Sequence, residues 1–422
     1  MPQGSDGLIL GWPRMTGLKT QQEAAQMQTV HTGSVFEVFT AFLKLGLTSF
    51  GGPIAHLGYL RQELVERRHW VSESQYAQLL ALCQFLPGPT SSQLGFSLGL
   101  LRAGWGGALA AFMAFTLPSA LLLFTVAILI PQLSSTTGSA AIHGLKLVAL
   151  AVVAQAVLNM RKQLCPDVPH VTIAALAAAI LLVSGQAWMQ LLVVAIGAIA
   201  GLVFCRSTQP VPDGGLHVRY GLACGWMLLA VFTLLLVGLP VLAHGRNGLL
   251  AVMEAFYRAG ALVFGGGHVV LPLLGETVVR PGWISKDEFL AGYGAAQAVP
   301  GPLFTLAAYL GARLPGNEGG PIGASIALTA IFLPGLLLVA GVLPIWRAIA
   351  VHPRAAHTVA GINAAVVGLL SAALYDPVWM SAVRGPIDIA IALVGFTLLA
   401  AWRVSALFVV LWCVLASIAS AI

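Results

Sequence analysis

Long apolar runs alternate with short polar segments along most of the chain. The runs at 109–130, 141–160, 220–242 and 322–343 are each close to the roughly 20 residues that cross the hydrocarbon core of a bilayer. No segment alternates between apolar and polar residues with a period of two, so the pattern disfavours a β-barrel. We therefore predict an all-α polytopic membrane protein with about 13 spans, at 33–52, 76–101, 104–130, 141–160, 171–185, 187–205, 220–243, 249–268, 288–312, 321–344, 357–375, 386–401 and 403–421.

The composition supports this class and excludes a water-soluble domain. Only 9% of the 422 residues are charged and 58% are hydrophobic, whereas about 25% of the residues of a soluble domain are charged. The five cysteines are scattered singly and no CxxC pair occurs, so neither a disulfide framework nor a zinc site is indicated. We expect no metal, no cofactor and no nucleic-acid partner.

The basic residues indicate how the chain is oriented. The net charge of +6 fits either a positive-inside bias or an anion pathway, and most lysines and arginines lie between apolar segments, which favours the bias. Residues 1–32 lack the apolar core of a signal peptide, so we predict a cytoplasmic tail. With the N-terminus inside, the basic residues at 102, 161–162, 206–219, 347–354 and 403 are also cytoplasmic. The arginines at 61–68 do not fit, and we predict an amphipathic surface helix or a re-entrant helix there.

The chain contains an internal duplication. The segment FGGPIAHLGYLRQELVERRHWVSESQY at 50–76 aligns with FGGGHVVLPLLGETVVRPGWISKDEF at 264–289, and IHGLKLVALAVV at 142–153 resembles VAGINAAVVGLL at 359–370. We predict a first repeat at 33–205, a linker with one span at 206–248 and a second repeat at 249–422. An odd number of spans from one repeat to its equivalent gives the two copies opposite orientations in the membrane.

Both copies carry helix breaks at equivalent places. QFLPGPTSSQ at 84–93 matches QAVPGPLFTL at 297–306, and each Pro-Gly-Pro follows a glutamine and a short helix with a serine capping box. Proline ends one half-helix and is tolerated at the start of the next. The free N–H groups at such starts carry positive potential that favours anions. Irregular backbone at membrane depth lines a cavity or is buried in protein, so we predict that the breaks form an anion site.

Two cations at equivalent positions, Lys44 and Arg258, lie inside apolar helices six residues before the Phe-Gly-Gly breaks. An intramembrane cation is a functional candidate, although both side chains also have the option of extending to the membrane surface. The predicted substrate site comprises Lys44, Gly51, Gly52, Pro53, Gln84, Pro87, Gly88, Pro89, Thr90, Ser91, Arg258, Gly265, Gly266, Gly267, Gln297, Pro300, Gly301 and Pro302. Secondary candidates are His56, His268, Lys146 and Asn363. No buried carboxylate for proton coupling is evident.

The motifs FGGP…QxxPGP in the first half and FGGG…QxxPGP in the second resemble those of the chromate transporter family, in its long two-domain form. The resemblance covers residues 33–421, and Gly267 replaces the proline that the first copy has at position 53. It implies a multi-pass protein of the bacterial inner membrane that exports chromate, an oxyanion shaped like sulfate, and confers resistance. The implied partners are the oxyanion and membrane lipid, with a homodimer left open.

Two other functions remain alternatives to a secondary transporter. The polar breaks are also compatible with an oxyanion channel, or with a membrane-embedded enzyme acting on a lipid phosphate. Such an enzyme needs acid and base groups at the breaks, and the chain offers glutamine, threonine and serine there, so we expect no enzyme and no catalytic residue. The glycine run at 265–267 lacks the Gly-Lys-Ser/Thr ending of a nucleotide-binding P-loop.

Overall fold

The computed structural model describes residues 33–50, 52–130, 136–184, 188–205, 216, 218, 220–244, 248–350 and 352–421. Helices and turns account for these residues, and no strand occurs among them, which confirms the predicted all-α fold. In the first copy the helices are α1 (Val35–Thr48), α2 (Gly52–Arg61, continued by a π-helical turn at Gln62–Arg67), α3 (Glu73–Phe85), α4 (Thr90–Leu129), α5 (Thr136–Leu164), α6 (Val168–Ser184) and α7 (Trp188–Phe204). The predicted tail at 1–32 lies outside the described residues.

The linker contributes one helix, and the second copy repeats the order of the first. The helices are α8 (Leu222–Ala243), α9 (Leu249–Ala261), α10 (Val270–Leu274), α11 (Lys286–Ala296), α12 (Leu306–Ala312), α13 (Gly320–Val342), α14 (Trp346–Ala350), α15 (Pro353–Ala373), α16 (Met380–Ala382), α17 (Pro386–Ala400) and α18 (Ala406–Ala421). A 3-10 turn at Gly267–Val269 leads into α10, which a π-helical turn at Gly275–Val279 extends, and a 3-10 turn at Leu303–Thr305 leads into α12.

Five helices of the described chain are long and apolar enough to cross a membrane, and they lie within Thr90–Leu129, Thr137–Leu164, Leu222–Ala243, Gly320–Ile345 and Arg354–Ala382. The shorter helices α6, α7, α17 and α18 are also apolar. Helix α8 is the most exposed of the long ones, because only 6% of its apolar window is buried by the rest of the chain. Its leucines and valines therefore lie on the outside of the bundle, where a membrane-spanning linker contacts lipid.

The helices before the Pro-Gly-Pro breaks begin as their capping signals predict. At the start of α3, the Ser72 side chain accepts from the Gln75 backbone N–H at 3.2 Å, and the Gln75 side chain accepts from the Ser72 N–H at 3.0 Å. At the start of α11, Ser285 caps the helix by accepting from the Glu288 N–H at 3.2 Å. Helix α3 ends at Phe85 and α11 at Ala296, just ahead of the breaks.

The broken helices return to the side from which they start. The N–H of Gly33, before α1, donates to the carbonyl of Arg102 at 3.1 Å. Glu37 in the first turn of α1 accepts from the Trp70 indole at 3.1 Å and from Arg102 at 3.1 Å. Non-helical backbone at Ala103 and Gly104 divides α4 into a first part, 90–102, and a second part, 105–129. The start of α1, the end of the α2 segment and the end of the first part of α4 are therefore together, and α1–α2 and α3–α4 each form a re-entrant hairpin.

The second copy has the same two hairpins. Gly248 before α9, Trp283 after α10 and Glu318 after α12 line one small cavity, so the ends of these broken helices also lie together. The predicted spans 33–52, 76–101, 249–268 and 288–312 are thus halves or pairs of re-entrant segments. Nine described helices cross the bundle (the second part of α4, then α5–α8, α13, α15, α17 and α18), and the expected count of about 13 is too high. The physical reason is that the chain turns back at each break, as the contacts of Gly33 and Glu37 with Arg102 show for the first copy.

The two copies remain inverted, because five crossing helices separate their hairpins. Helices α5 and α18 run antiparallel: the Ser417 hydroxyl donates to the Ala140 carbonyl at 2.8 Å near one end of the bundle. At the other end, the C-terminal turns of α5 lie beside the α17–α18 loop. We call this second end, which carries Arg102, Lys162 and Arg403, the basic end. The π-helical segment with the arginines at 61–68 also returns to the basic end. This explains why these arginines do not fit a topology in which residues 33–52 cross the membrane.

The breaks of the two copies interlock at the centre. The Gly88 N–H donates to the Val263 carbonyl at 2.7 Å, and the Gly301 N–H donates to the Ser49 carbonyl at 2.9 Å. Each Pro-Gly-Pro therefore pairs with the residue just ahead of the Phe-Gly-Gly break of the other copy. These bonds satisfy backbone groups that would be costly to leave unpaired in a membrane. Both glycines have positive φ, 126° at Gly88 and 105° at Gly301, a backbone conformation that glycine adopts without steric cost.

Candidate anion-binding cavity

A cavity of about 720 Å³ lies between the helix breaks and the basic end. This is within the usual range of about 300–1,000 Å³ for small-molecule sites. Its polar and glycine lining comes from both copies and comprises Gly52, Tyr59, Gln155, Asn159, Lys162, Gln163, Gly265, Gly266, Gly267, His268, Gln297, Arg403 and Ser405. The cavity therefore combines the predicted glycine breaks with groups from α5 and from the α17–α18 loop.

The glycine breaks form the inner wall of the cavity. A Cβ atom built on Gly52 would lie 3.9 Å from His268 Nε2, so the first turns of the two hairpins approach each other closely. His268 Nδ1 is 2.8 Å from the Tyr293 hydroxyl, and the Gln297 amide donates to the Tyr293 carbonyl at 3.5 Å. Tyr293 thus positions both side chains toward the space beyond Gly52. The N-terminus of α2 begins at this wall and contributes the positive end of its dipole.

The outer wall is a polar face on the C-terminal half of α5. Gln155, Asn159, Lys162 and Gln163 are spaced by four, three and one residues, which places them on one side of a helix. Amide groups donate N–H bonds and carry no charge, so they bind an oxyanion without the affinity that would stop its release. The Gln155 amide also donates to the Leu399 carbonyl of α17 at 3.0 Å, which ties α5 to α17 at the cavity.

Two cations sit at the mouth of the cavity. Lys162 and Arg403 are exposed and line the cavity, and no aspartate or glutamate is among its lining residues. Within the described part of the chain, neither cation has a salt-bridge partner. Arg403 has a φ of 55°, which is uncommon outside glycine. The cavity therefore has positive potential and anion-compatible donors.

The structure does not bring Lys44 and Arg258 to this cavity. Lys44 Nζ lies 3.4 Å from Glu63, whose carboxylate also accepts from Arg67 at 3.2 Å and from Arg68 at 2.8 Å. Arg258 pairs with Glu254 on its own helix at 2.8 Å. The physical reason is that each cation has an acidic neighbour one hairpin arm or one helical turn away. Arg258 is paired with one carboxylate, whereas Lys44 shares Glu63 with the two arginines.

The Pro-Gly-Pro residues also lie away from the cavity lining. Gly88, Pro89, Pro300 and Pro302 are buried at the crossing behind the inner wall, with Pro87, Thr90, Ser91 and Gly301 beside them in the same segments. Gln84 is exposed, whereas its equivalent Gln297 lines the cavity. Gly51 lies outside the described residues, as does the side chain of Pro53.

Of the four secondary candidates, one lines the cavity and the other three do not. His268 lines the cavity. His56 is buried, with Nε2 3.1 Å from the Ser49 carbonyl and its ring edge-on to Phe115. Lys146 donates to Asp287 of α11 at 2.9 Å. Asn363 lies on α15 with its carbonyl oxygen buried and without a hydrogen-bond partner among the described residues.

Sequence reasoning missed the groups on α5 and the loop arginine. The signal was available, because the polar residues at 155, 159, 162 and 163 recur at helical spacing in an otherwise apolar span. The charge pattern alone predicts a topological role for the basic pair at 161–162 and for Arg403. Among the described residues, no group of three or more His, Cys, Asp or Glu side chains could hold a metal ion.

Two inverted copies whose broken helices meet at a polar cavity define an architecture that membrane transporters use. The family model named chromate transporter matches residues 36–202 and 250–418, one match in each copy. The chain therefore belongs to the chromate transporter family. The two matches fit the two copies of the multi-pass helical fold.

Curated relatives cover most of the chain. A chromate transport protein of Pseudomonas aeruginosa is 29% identical over 375 residues, which is 87% of each chain. A probable chromate transport protein of Synechococcus elongatus is 30% identical over 336 residues, or 79% of this chain and 82% of the relative. A chromate transport protein of Cupriavidus metallidurans is 27% identical over 383 residues, or 89% of this chain and 90% of the relative. No solved structure matches the chain significantly.

Proposed function

We propose that this protein is a carrier that exports chromate across the bacterial inner membrane and binds it in the cavity at the basic end. The observation that supports this proposal most directly is the composition of the cavity wall. Two cations, three amide side chains of α5, the Gln297 amide and two glycine breaks surround one space that no carboxylate lines. A tetrahedral dianion needs donors on several sides and compensating positive charge, and this wall offers both.

The side on which the cavity opens and the membrane potential both support the export direction of this proposal. Its exposed residues Lys162, Gln163 and Arg403 lie at the basic end, which the positive-inside rule assigns to the cytoplasm. A cytoplasmic opening loads the anion from inside the cell. The membrane potential then favours export, by about 2.3 kcal/mol per charge for every 100 mV.

Substrate selection within the tetrahedral oxyanions is part of the proposal. The curated relatives named above are described as chromate transport proteins. The amides and cations of the wall recognise negative oxygens, which chromate and sulfate both present. We therefore expect sulfate to compete with chromate for the same cavity, and the two anions to differ in affinity rather than in site.

The test is transport by the full chain in everted membrane vesicles, supported by measurements on cells. Uptake of labelled chromate should saturate with concentration, fall when sulfate is added, and accelerate when the vesicles are preloaded with unlabelled chromate. Such trans-stimulation requires a carrier, so a linear, unstimulated flux would identify a channel instead. In a chromate-sensitive bacterium, expression should lower the cell-associated chromate. Resistance without this drop would refute export.

A further inference from the structure

A buried histidine–aspartate pair joins α5 to α17, away from the anion cavity. His143 Nε2 lies 2.8 Å from Asp388 Oδ1, and the two residues are only 7% and 9% exposed. Asp388 Oδ2 accepts from the Arg384 backbone N–H at 2.8 Å, in the first turn of α17. The pair thus places an ionisable carboxyl and an imidazole in contact inside the helix bundle, a position where titratable groups are rare and functional by default.

The pair has capacity for a further proton. With His143 Nε2 donating to Asp388, the other ring nitrogen, Nδ1, is buried and has no hydrogen-bond partner in the described structure. An imidazole in this state holds one proton and can accept a second on Nδ1. Because the two groups are in direct contact, the proton belongs to the pair rather than to either residue alone.

Few other charged groups face this site. On α5 itself, Lys146 lies one turn further on, with its side chain 3% exposed, and it is engaged by Asp287 of α11 at 2.9 Å. Asp376 of the segment after α15 pairs with Lys286 at 2.7 Å. Helix α18 contributes the hydroxyl of Ser417, which bonds to a carbonyl of α5. Among the described residues, Asp388 is therefore the carboxylate that His143 contacts.

The pair is mechanically connected to the anion cavity. It fastens α5 to α17 toward the end opposite the basic end, and the Gln155 amide fastens the same two helices at the cavity by donating to the Leu399 carbonyl at 3.0 Å. Leu399 and Arg403 line the cavity, as does Gln155. A second proton on Nδ1 turns the first contact into a charge-assisted imidazolium–carboxylate bond, which holds α17 to α5 more tightly. Loss of that proton loosens the contact, so the position of α17, and with it the cavity wall and its arginine, responds to the proton.

We propose that the His143–Asp388 pair is the proton-binding site that couples chromate movement to the proton gradient. This inference rests on the proposed function. A proton enters from the end opposite the basic end, binds the pair, and leaves toward the basic end after the anion has been released outside. The arrangement gives antiport, with the inward proton flux driving the outward anion. The equivalent of His143 in the second copy is Ala360, so one copy alone carries the site.

The experiment uses the full chain reconstituted in liposomes, with the membrane potential clamped. Chromate flux is measured with and without an imposed pH gradient for the wild type, Asp388→Asn and His143→Gln. We expect the gradient to stimulate wild-type flux. In both variants, downhill chromate flux should persist while stimulation by the gradient is lost. Asp388→Glu keeps the carboxyl group and should recover part of the stimulation, which a purely structural role of the contact does not predict.

A second histidine–aspartate pair provides the matched control. His170 bonds to Asp167 at the turn between α5 and α6, where the Asp167 side chain is 49% exposed. The side-chain hydrogen bond from His170 lowers the pKa of the Asp167 carboxyl. Asp167→Asn should leave the stimulation unchanged.

The outcomes separate this inference from the proposed function. If the wild type transports chromate but the pH gradient has no effect, or if Asp388→Asn and His143→Gln are stimulated like the wild type, the coupling role is wrong and the carrier stands. If the wild type does not transport chromate at all, the proposed function fails. Chromate binding to each purified variant, measured by calorimetry, checks that it has folded. Where Asp388→Asn does not bind, His143→Gln decides the question, because its amide can still donate to Asp388.

Discussion

Replacing the two cations at the cavity mouth tests the anion site most directly. Lys162→Gln and Arg403→Gln each remove a charge that has no acidic partner among the described residues, while the glutamine retains a hydrogen-bond donor. Both side chains are exposed, so the dielectric of water is the appropriate limit. Unit charges 4 Å apart then interact by about 1 kcal/mol, hence by about 2 kcal/mol for a dianion. We expect the KM for chromate to rise about 30-fold in each variant.

The control is a pair of cations that the structure places away from the cavity. Lys44→Gln and Arg258→Gln remove charges that do not line the cavity and that lie 3.4 and 2.8 Å from Glu63 and Glu254. Their KM should stay close to that of the wild type, provided that expression is equal. Initial rates of chromate uptake in everted vesicles, over a range of chromate concentrations, give the comparison.

Ionic strength adds a second readout to this experiment. Exposed charges are screened over about 8–10 Å at physiological salt. The wild-type KM should therefore increase with salt more steeply than the KM of Lys162→Gln or Arg403→Gln.

If these two variants bind chromate normally while Lys44→Gln or Arg258→Gln loses transport, the anion site lies near the latter cations and the cavity assignment is wrong.

Two further predictions concern the fold. Gly301→Ala places a Cβ 2.8 Å from the Ser119 hydroxyl at a φ of 105°, and backbone strain plus overpacking should destabilise the protein by about 2–5 kcal/mol. Thermal melting in detergent should show a lower melting temperature for this variant. The control variant Gly58→Ala has open space around the added Cβ and should melt at or above the wild-type temperature. The re-entrant hairpins place Glu73 and Arg161 at the same end, so cysteines introduced at these two positions should react with an impermeant thiol reagent from the same side of the membrane. Labelling from opposite sides would mean that residues 33–52 cross the bilayer.

Much of the backbone design was predictable from the sequence, because proline and glycine act locally. The breaks at Gly52 and Gly265–Gly267 are where the Phe-Gly-Gly motifs indicated, and the Ser72 capping box starts α3 as its spacing predicts. The duplication also predicted that equivalent segments would meet. These features depend on backbone conformation, which a few residues determine.

Hairpins and crossing helices are harder to distinguish from sequence. A half-helix before a break has the same apolar composition whether the next segment continues or turns back. The difference arises from contacts across many residues, such as that of Glu37 with Trp70 and Arg102. The same problem affected Lys44, because Glu63 follows it by 19 positions and becomes its neighbour only once the hairpin has formed.

The two copies share the order of their helices but carry different side chains at equivalent positions. Gln155 and Asn159 line the anion cavity from α5, whereas the repeat alignment places Ala372 and Asp376 at the equivalent positions in and just after α15. Asp376 is held by Lys286 at 2.7 Å, so the second copy has an ion pair where the first has neutral amides. A carboxylate at that place repels an oxyanion, and its pairing with lysine binds the segment after α15 to α11. The duplication thus supplies interlocking breaks, and divergence of the helix faces explains why the proposed anion site uses the polar face of α5 and not that of α15.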